Sequence, residues 1–308
     1  MAEVPVIFCF DDRILTGAGV SILSLVETAA QDTTYDIRVL HPGLDPKAEA
    51  ALASLVAGTR HRITFQHVPA SRFDGVPRNK GSWTEIVYYR LLASELLPDC
   101  DKAIYSDVDV LFLKDMGEVF ATDLSQHELA AVEAEGNSPD NIMHRHFPEN
   151  PKDRIWFSGF LVMNLDLMRR NNAVARYFEV IETCRDRLKF FDLDVLNIAT
   201  PSIASVPFDY VVLEDIYEMP EVTESKDYPY LSVVHTDEAL EAARQDPAIL
   251  HYAGRRGKPW HRRKIPGYYA DVMARLPARL RRPTLRDLRK RWLSRKGRRH
   301  FPSRFADL

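Results

Sequence analysis

Cysteine is scarce in this 308-residue chain. Cys9, Cys100 and Cys184 are scattered, odd in number and without metal-ligand spacing, which argues against a disulfide framework and a structural zinc and reads as three buried thiols. A long apolar run is also lacking. The first hydrophobic stretch, Val4 to Phe10, has Glu3 ahead of it and stops at Asp11-Asp12, too short and too acidic in its flanks for a secretory leader or a membrane span, so a cytoplasmic start is expected. No internal repeat or low-complexity tract is visible. What remains, 45% hydrophobic and 28% charged, is an ordinary soluble composition with an ample core for one large domain or two.

The formal charge of -3 conceals an uneven distribution. Residues 261–308 carry 16 Lys and Arg against 3 Asp and Glu, so the first 260 residues form an acidic body and the remainder a basic tail. The composition break near Trp260 sets the expected division into one large domain, 1–260, and a tail, 261–308.

Along the body, apolar runs and helical patterns alternate. Strands are predicted at Val4 to Phe10, Tyr35 to Leu40 and Arg62 to His67, with helices over Val20 to Val26 and Pro46 to Val56 between them. A surface loop from Pro69 to Ser82 leads into a helix over Thr84 to Leu97. Further on come strands at Leu129 to Val132 and Phe160 to Asn164, a helix over Asn172 to Cys184, the opening of a further helix over Asp192 to Ala199, and an irregular stretch from Pro201 to Pro229. A long polar loop spans Gly136 to Asp153, where His144 and His146 read as surface histidines. This alternation predicts an α/β fold with a mostly parallel central sheet, helices on both faces and a Rossmann-like N-terminal half. Ligands bind such sheets beyond the carboxyl ends of the strands.

The run Lys102 to Leu113 holds two carboxylates, Asp107 and Asp109, inside apolar β-type sequence, where buried charge is costly without a partner. If the run is extended, both face one side and Val108 the other, which suits a divalent ion bound by oxygens.

Phe10 to Asp12 (FDD), Tyr89 to Leu91 (YRL), Tyr105 to Leu111 (YSDVDVL), Ser158 to Leu165 (SGFLVMNL), Phe190 to Asn197 (FFDLDVLN) and His251 to Trp260 (HYAGRRGKPW) stand in an order and at spacings that resemble the family 8 retaining glycosyltransferases. The resemblance implies a nucleotide-diphospho-sugar transferase fold and a Mn²⁺ or Mg²⁺ ion. It also implies transfer of a hexose from a UDP-hexose, with retention, to a glycan or glycolipid acceptor such as a lipopolysaccharide. It makes His251 the third ligand beside Asp107 and Asp109, and lines the nucleotide sugar with Asp11, Asp12, Arg90, Asp107, Val108, Gly254 and Lys258. Asp192 then binds donor-sugar hydroxyls beside Arg90, and Asp194 supports it. By pattern alone, Asp11 and Asp12 fit a turn cap as well as a ligand, Asp192 fits a helix N-cap, Arg90 a solvated charge and His251 a core histidine.

Four places depart from the family pattern. Trp156-Phe157-Ser158-Gly159 carries a ring where an amide is common, and Leu193 stands where lipopolysaccharide galactosyltransferases have Gln. The His251 to Trp260 block is one residue longer than usual, and Arg13 replaces a small polar residue. Two alternatives follow: a nucleotide-sugar-binding protein with weakened catalysis, and a haloacid dehalogenase-type phosphatase, whose Asp-x-Asp pattern Asp107 and Asp109 also fit.

In the tail, Leu285, Leu288 and Trp292 fall at helical spacing among Arg286, Arg289, Lys290 and Arg291, with Tyr268, Tyr269 and Phe301 as further aromatic anchors. This reads as an interfacial amphipathic segment on an anionic membrane, placing the protein peripherally on the inner face of the plasma membrane. A helix docked on the body, or a disordered tail, is the competing reading. A basic arm for nucleic acid is a weaker one, and no nucleic-acid partner is expected. The oligomeric state is left open.

Overall fold

Alternation along single strands builds two cores at once. In β1 (Ala2–Cys9), Val4, Val6 and Phe8 enter one apolar cluster, while Ile7 and Cys9 enter the other, on the opposite face of the sheet. The same division runs through β2 (Thr33–His41), β4 (Lys102–Ser106), β6 (Leu129–Gly136) and β7 (Arg154–Asn164), so this sheet is covered on both sides. The computed structural model describes residues 2–77, 84–139, 148–254 and 256–281.

With β3 (Arg62–His67) and β8 (Ile203–Ser205), these strands form a seven-stranded sheet in the order β3-β2-β1-β4-β7-β6-β8. Every strand runs the same way except β7, which is antiparallel to β4 and β6. The expected mostly parallel α/β sheet is therefore what the chain builds. A second, three-stranded sheet has the order β5-β10-β9, from β5 (Val110–Phe112), β9 (Val212–Leu213) and β10 (Ile249–His251).

The extended conformation considered for the whole run Lys102 to Leu113 is corrected here. β4 ends at Ser106, residues 107–109 turn, and β5 joins the other sheet. Both halves are buried, so both are apolar, and the sequence carries no sign of the change of sheet. The strand expected to begin at Phe160 begins at Arg154 and pairs beyond the end of β4 with β6. Within the stretch read as irregular lie β8, a 3-10 helix Phe208–Val211 and β9. The helix expected over Thr84 to Leu97 is a 3-10 helix, Glu85–Leu92, continued by an α-turn, Ala93–Leu96. His144 and His146 lie outside the described residues.

The packed body continues past Trp260. Tyr269, Leu276 and Leu280 are buried in the cluster that contains β1, and the Thr16 hydroxyl donates to the Leu280 carbonyl at 2.7 Å. Arg275 pairs with Glu27 at 2.5 Å and Arg279 with Asp45 at 2.7 Å, so the helices Gly267–Arg275 and Ala278–Arg281 are tied to the body. The division drawn at 260 falls inside packed structure. Tyr268 and Tyr269, read as membrane anchors, are engaged elsewhere. Tyr269 is fully buried against Tyr252, and the Tyr268 hydroxyl donates to Glu218 at 2.9 Å. Leu285, Leu288, Trp292 and Phe301 lie outside the described residues.

Candidate active site

Strand order alone points to one place. The chain proceeds from β1 outward to β2 and β3, then returns to place β4 on the other side of β1, so the order reverses between β1 and β4. Parallel sheets bind ligands in the crevice beyond the strand ends at such a reversal. Asp11 and Asp12 follow β1, and Asp107 follows β4.

Two sheets meet at this point. Asp107 leaves the large sheet with its amide donating to the Gly159 carbonyl at 2.8 Å. Asp109 precedes β5, and His251, the last residue of β10, is in register with Val110, while the Tyr252 amide donates to the Asp109 carbonyl at 2.8 Å. The small sheet thus carries Asp109 and His251 to the same spot. His251 Nε2 lies 3.3 Å from Asp109 Oδ1 and 3.6 Å from Asp107 Oδ2, and one potential ligand atom from each residue falls within 4.8 Å of the other two. That nitrogen is buried and aligned for no hydrogen bond, an orphan that a cation would satisfy. Two carboxylate oxygens and an imidazole nitrogen fit Mn²⁺ and accept Mg²⁺ less readily. Burial works to raise the Asp109 pKa, but Lys258 and His251 together outweigh it and hold the carboxyl well below the usual range.

Beside this cluster lies a buried arginine shared by two acids. Arg90 is 5% exposed, and its guanidinium stacks 4.0 Å from the Tyr105 ring centroid. Its Nη2 donates to Asp107 Oδ1 at 2.9 Å, its Nη1 donates to the Ser158 carbonyl at 2.6 Å, and the same Nη1 lies 3.1 Å from Asp192 Oδ2. Burial pushes the Asp192 carboxyl up to about 6; Arg90 opposes this, and the charge on Asp107 adds to it. Asp192 opens the helix Asp192–Ala199 without capping it. Asp194 has the local duty instead: its Oδ2 accepts from the amides of Lys189 and Phe190, at 2.6 and 2.9 Å, bracing the turn before the positive-φ residue Phe191.

The other expected residues lie around the same mouth. Asp11 caps a 3-10 turn, and its carboxylate accepts from Arg13 N at 2.9 Å and Arg13 Nε at 2.6 Å. Asp12 accepts from the Asp45 amide at 3.2 Å, a loop-bracing contact. Val108 is buried in the core cluster, and the Ser21 hydroxyl lies 2.9 Å from its carbonyl and 2.8 Å from that of Val110, donating to one at a time. A β-carbon on Gly254 would stand 2.7 Å from Asp215 Oδ2. Lys258 Nζ donates to Asp109 Oδ2 and, at 3.1 Å, to the Tyr252 carbonyl, so it reaches the cluster despite the longer spacing.

Sequence reasoning missed the supports. On Gly159, a β-carbon would lie 2.6 Å from His251 Cε1 and 3.0 Å from Asp107 Oδ2. A glycine inside a strand is the signal that could have marked it. On Gly17 it would lie 2.9 Å from the Val108 carbonyl and 2.5 Å from Trp260 Cη2, so a glycine lets the helix Leu15–Glu27 press on the Asp-x-Asp turn. Asn197 gives its side chain to both the amide and the carbonyl of Trp156, joining the Asp192 helix to β7.

The sequence matches the profile of glycosyl transferase family 8 over residues 5–264. The chain belongs to that family. It is 24% identical over 193 residues to the lipopolysaccharide 1,3-galactosyltransferase of Salmonella typhimurium, covering 61% of this chain and 57% of that one. To the glycosyltransferase GlyA of Streptococcus pneumoniae it is 26% identical over 174 residues, 56% of this chain and 21% of that one. The matches thus span from a fifth to little more than half of these curated relatives. Among solved structures, the galactosyltransferase LgtC in complex with donor and acceptor sugar analogs superposes with a TM-score of 0.71 at 26% identity, covering 89% of this chain and 97% of LgtC. The bifunctional glycosyltransferase WbbM shares the fold, with a TM-score of 0.72 at 22% identity over 94% of this chain and 52% of that one. Membership in a family of glycosyl transferases leaves the phosphatase alternative without support.

Proposed function

We propose that this family 8 enzyme transfers a hexose from a UDP-hexose, with retention and with the help of Mn²⁺ or Mg²⁺, to a glycan or glycolipid of the cell surface. The observation that carries the reading is the convergence of Asp107, Asp109 and His251 at the strand-order reversal, with Arg90 and Asp192 alongside. The likeness to LgtC and to the lipopolysaccharide 1,3-galactosyltransferase supports a hexosyl donor and a lipopolysaccharide-type acceptor.

Asp107, Asp109 and His251 would hold the dication, which supplies Lewis-acid stabilisation to the departing diphosphate. The protein's own groups do the remaining work. Asp11 and Asp12 meet the nucleoside at the end of β1, with Val108 behind them. Gly254 leaves room for the diphosphate backbone approach, and Lys258, already at the cluster, places a point charge against it. Arg90 fixes Asp192, whose buried carboxylate takes donor hydroxyls in hydrogen bonds. A front-side route, in which the leaving phosphate receives the acceptor proton, asks for no protein nucleophile; a trapped covalent glycosyl-enzyme would refute it.

Among the described residues no helix is long and apolar enough to cross a membrane. The basic segment beyond Arg281 is proposed to hold the enzyme at the inner face of the plasma membrane, where a lipid-anchored acceptor is presented. Pelleting with anionic liposomes, with and without residues 282–308, tests this, and equal pelleting refutes it.

The main reading is tested by titrating UDP-sugars into the protein with Mn²⁺ in a calorimeter, then following slow hydrolysis of those that bind. Binding of a UDP-hexose that disappears with chelator is the expected result. Binding with no hydrolysis or transfer would favour the catalytically weakened alternative that Phe157 and Leu193 raise.

A further inference from the structure

Asp107 is engaged at one oxygen and open at the other. Its Oδ1 accepts from the Tyr105 hydroxyl at 2.6 Å and from Arg90 Nη2 at 2.9 Å. Its Oδ2 faces His251 Nε2 at 3.6 Å, and the missing side chain of Gly159 leaves that oxygen clear. Tyr105 is 1% exposed on β4, two residues before Asp107, and its ring carries the Arg90 guanidinium at 4.0 Å.

We infer that Tyr105 is a positioning residue for the cation site: its hydroxyl, fixed by the buried ring under Arg90, occupies Oδ1 so that Asp107 offers a single oxygen, Oδ2, to a dication. Arg90 alone cannot do this. Its guanidinium is also committed to the Ser158 carbonyl and to Asp192, so it follows those groups as much as it orders Asp107. The phenol has no such second loyalty. A rigid ring with one donor proton defines the plane of the carboxylate, and groups that orient a ligand in this way typically change metal affinity 10- to 100-fold when removed. The inference rests on the metal reading given above.

The test is Mn²⁺ affinity without donor or acceptor, read from the free-ion signal by electron paramagnetic resonance and from the Mn²⁺-induced rise in melting temperature. Tyr105→Phe keeps the ring, and its fold is checked by circular dichroism in chelator. It should bind Mn²⁺ at least about 10-fold more weakly. Placing 4-aminophenylalanine at 105 returns a donor and should recover most of the affinity, which a purely structural role of the ring would not explain. Tyr35→Phe removes another buried hydroxyl, one that donates to Asp115 at 2.7 Å, and should lower stability without changing Mn²⁺ affinity. Wild-type-like affinity in folded Tyr105→Phe, or failure of a folded 4-aminophenylalanine protein to recover, overturns the role of Tyr105 while leaving the metal site standing. A wild-type chain that binds no Mn²⁺ overturns both.

Discussion

Gly159 and His251 are in such close contact that a β-carbon on the glycine would stand 2.6 Å from imidazole Cε1. The same carbon would crowd Asp107 Oδ2 at 3.0 Å. Gly159→Ala must therefore displace the imidazole or that oxygen, and under the proposed metal reading Mn²⁺ affinity should fall by about 10-fold or more. The melting temperature in chelator should move little by comparison. An alanine variant with intact Mn²⁺ binding would show that the cluster has slack the distances deny.

Asp109→Asn removes a charge that both Lys258 and His251 face. The side chain stays nearly isosteric, so the fold should persist while metal-dependent turnover drops by about 100-fold or more. Hydrolysis of whichever UDP-sugar binds in calorimetry supplies the readout. Turnover near the wild-type level would remove Asp109 from the ligand set.

Lys152 lies far along the chain from the cluster and gives a clean pH signature. Burial lowers its pKa from 10.5 to about 8, while its Nζ donates to the Thr200 carbonyl at 2.8 Å. Between those two values the unfolded chain binds more protons than the folded one, so stability contributed here rises with pH across that window. Below it, the cost of burying the charge is fully present. Because the side chain is part-exposed, the effect is discounted to about 1–2 kcal/mol. Urea unfolding of wild type and Lys152→Met at pH 7.5 and 10 should show the wild type gaining on the variant. A pH-independent difference would contradict the burial argument.

Two truncations separate body from tail. Ending the chain after Arg281 should leave the melting temperature within about 2 °C. Ending it after Trp260 removes Tyr269, Leu276 and Leu280, each buried against the first helix or its neighbours, at a cost of about 1.5–3 kcal/mol apiece. Equal melting of the two would mean that the helices 267–281 contribute nothing to the core.

Much of this was legible because continuous apolar runs and ordered motifs are local. β3 was read with the boundaries observed, since Arg62–His67 is flanked by breakers, and the helix at Asp192 was read at its start, which follows a sharp turn. What escaped is what locality does not carry. Nothing in Lys102 to Leu113 shows a change of sheet, because both sheets bury the run. The helix Asp237–Gln245 was not read, because it buries only Leu240 and Ala243 and carries Asp237, Glu238, Glu241 and Arg244 on the rest of its surface. Asp107, Asp109, His251, Arg90 and Asp192 were each named from their motifs, yet Gly159 and Asn197 touch neighbours distant in sequence and become visible only once the strands are paired.

The break after Ser106 gives the site a mechanical character. Asp107 terminates one sheet, while Asp109 and His251 belong to the rim of another, so the cluster is a rivet across a seam. Parting the seam dismantles the cluster, and whatever fills the cluster fastens the seam. Occupancy and cohesion of the two sheets are then one equilibrium seen from two sides.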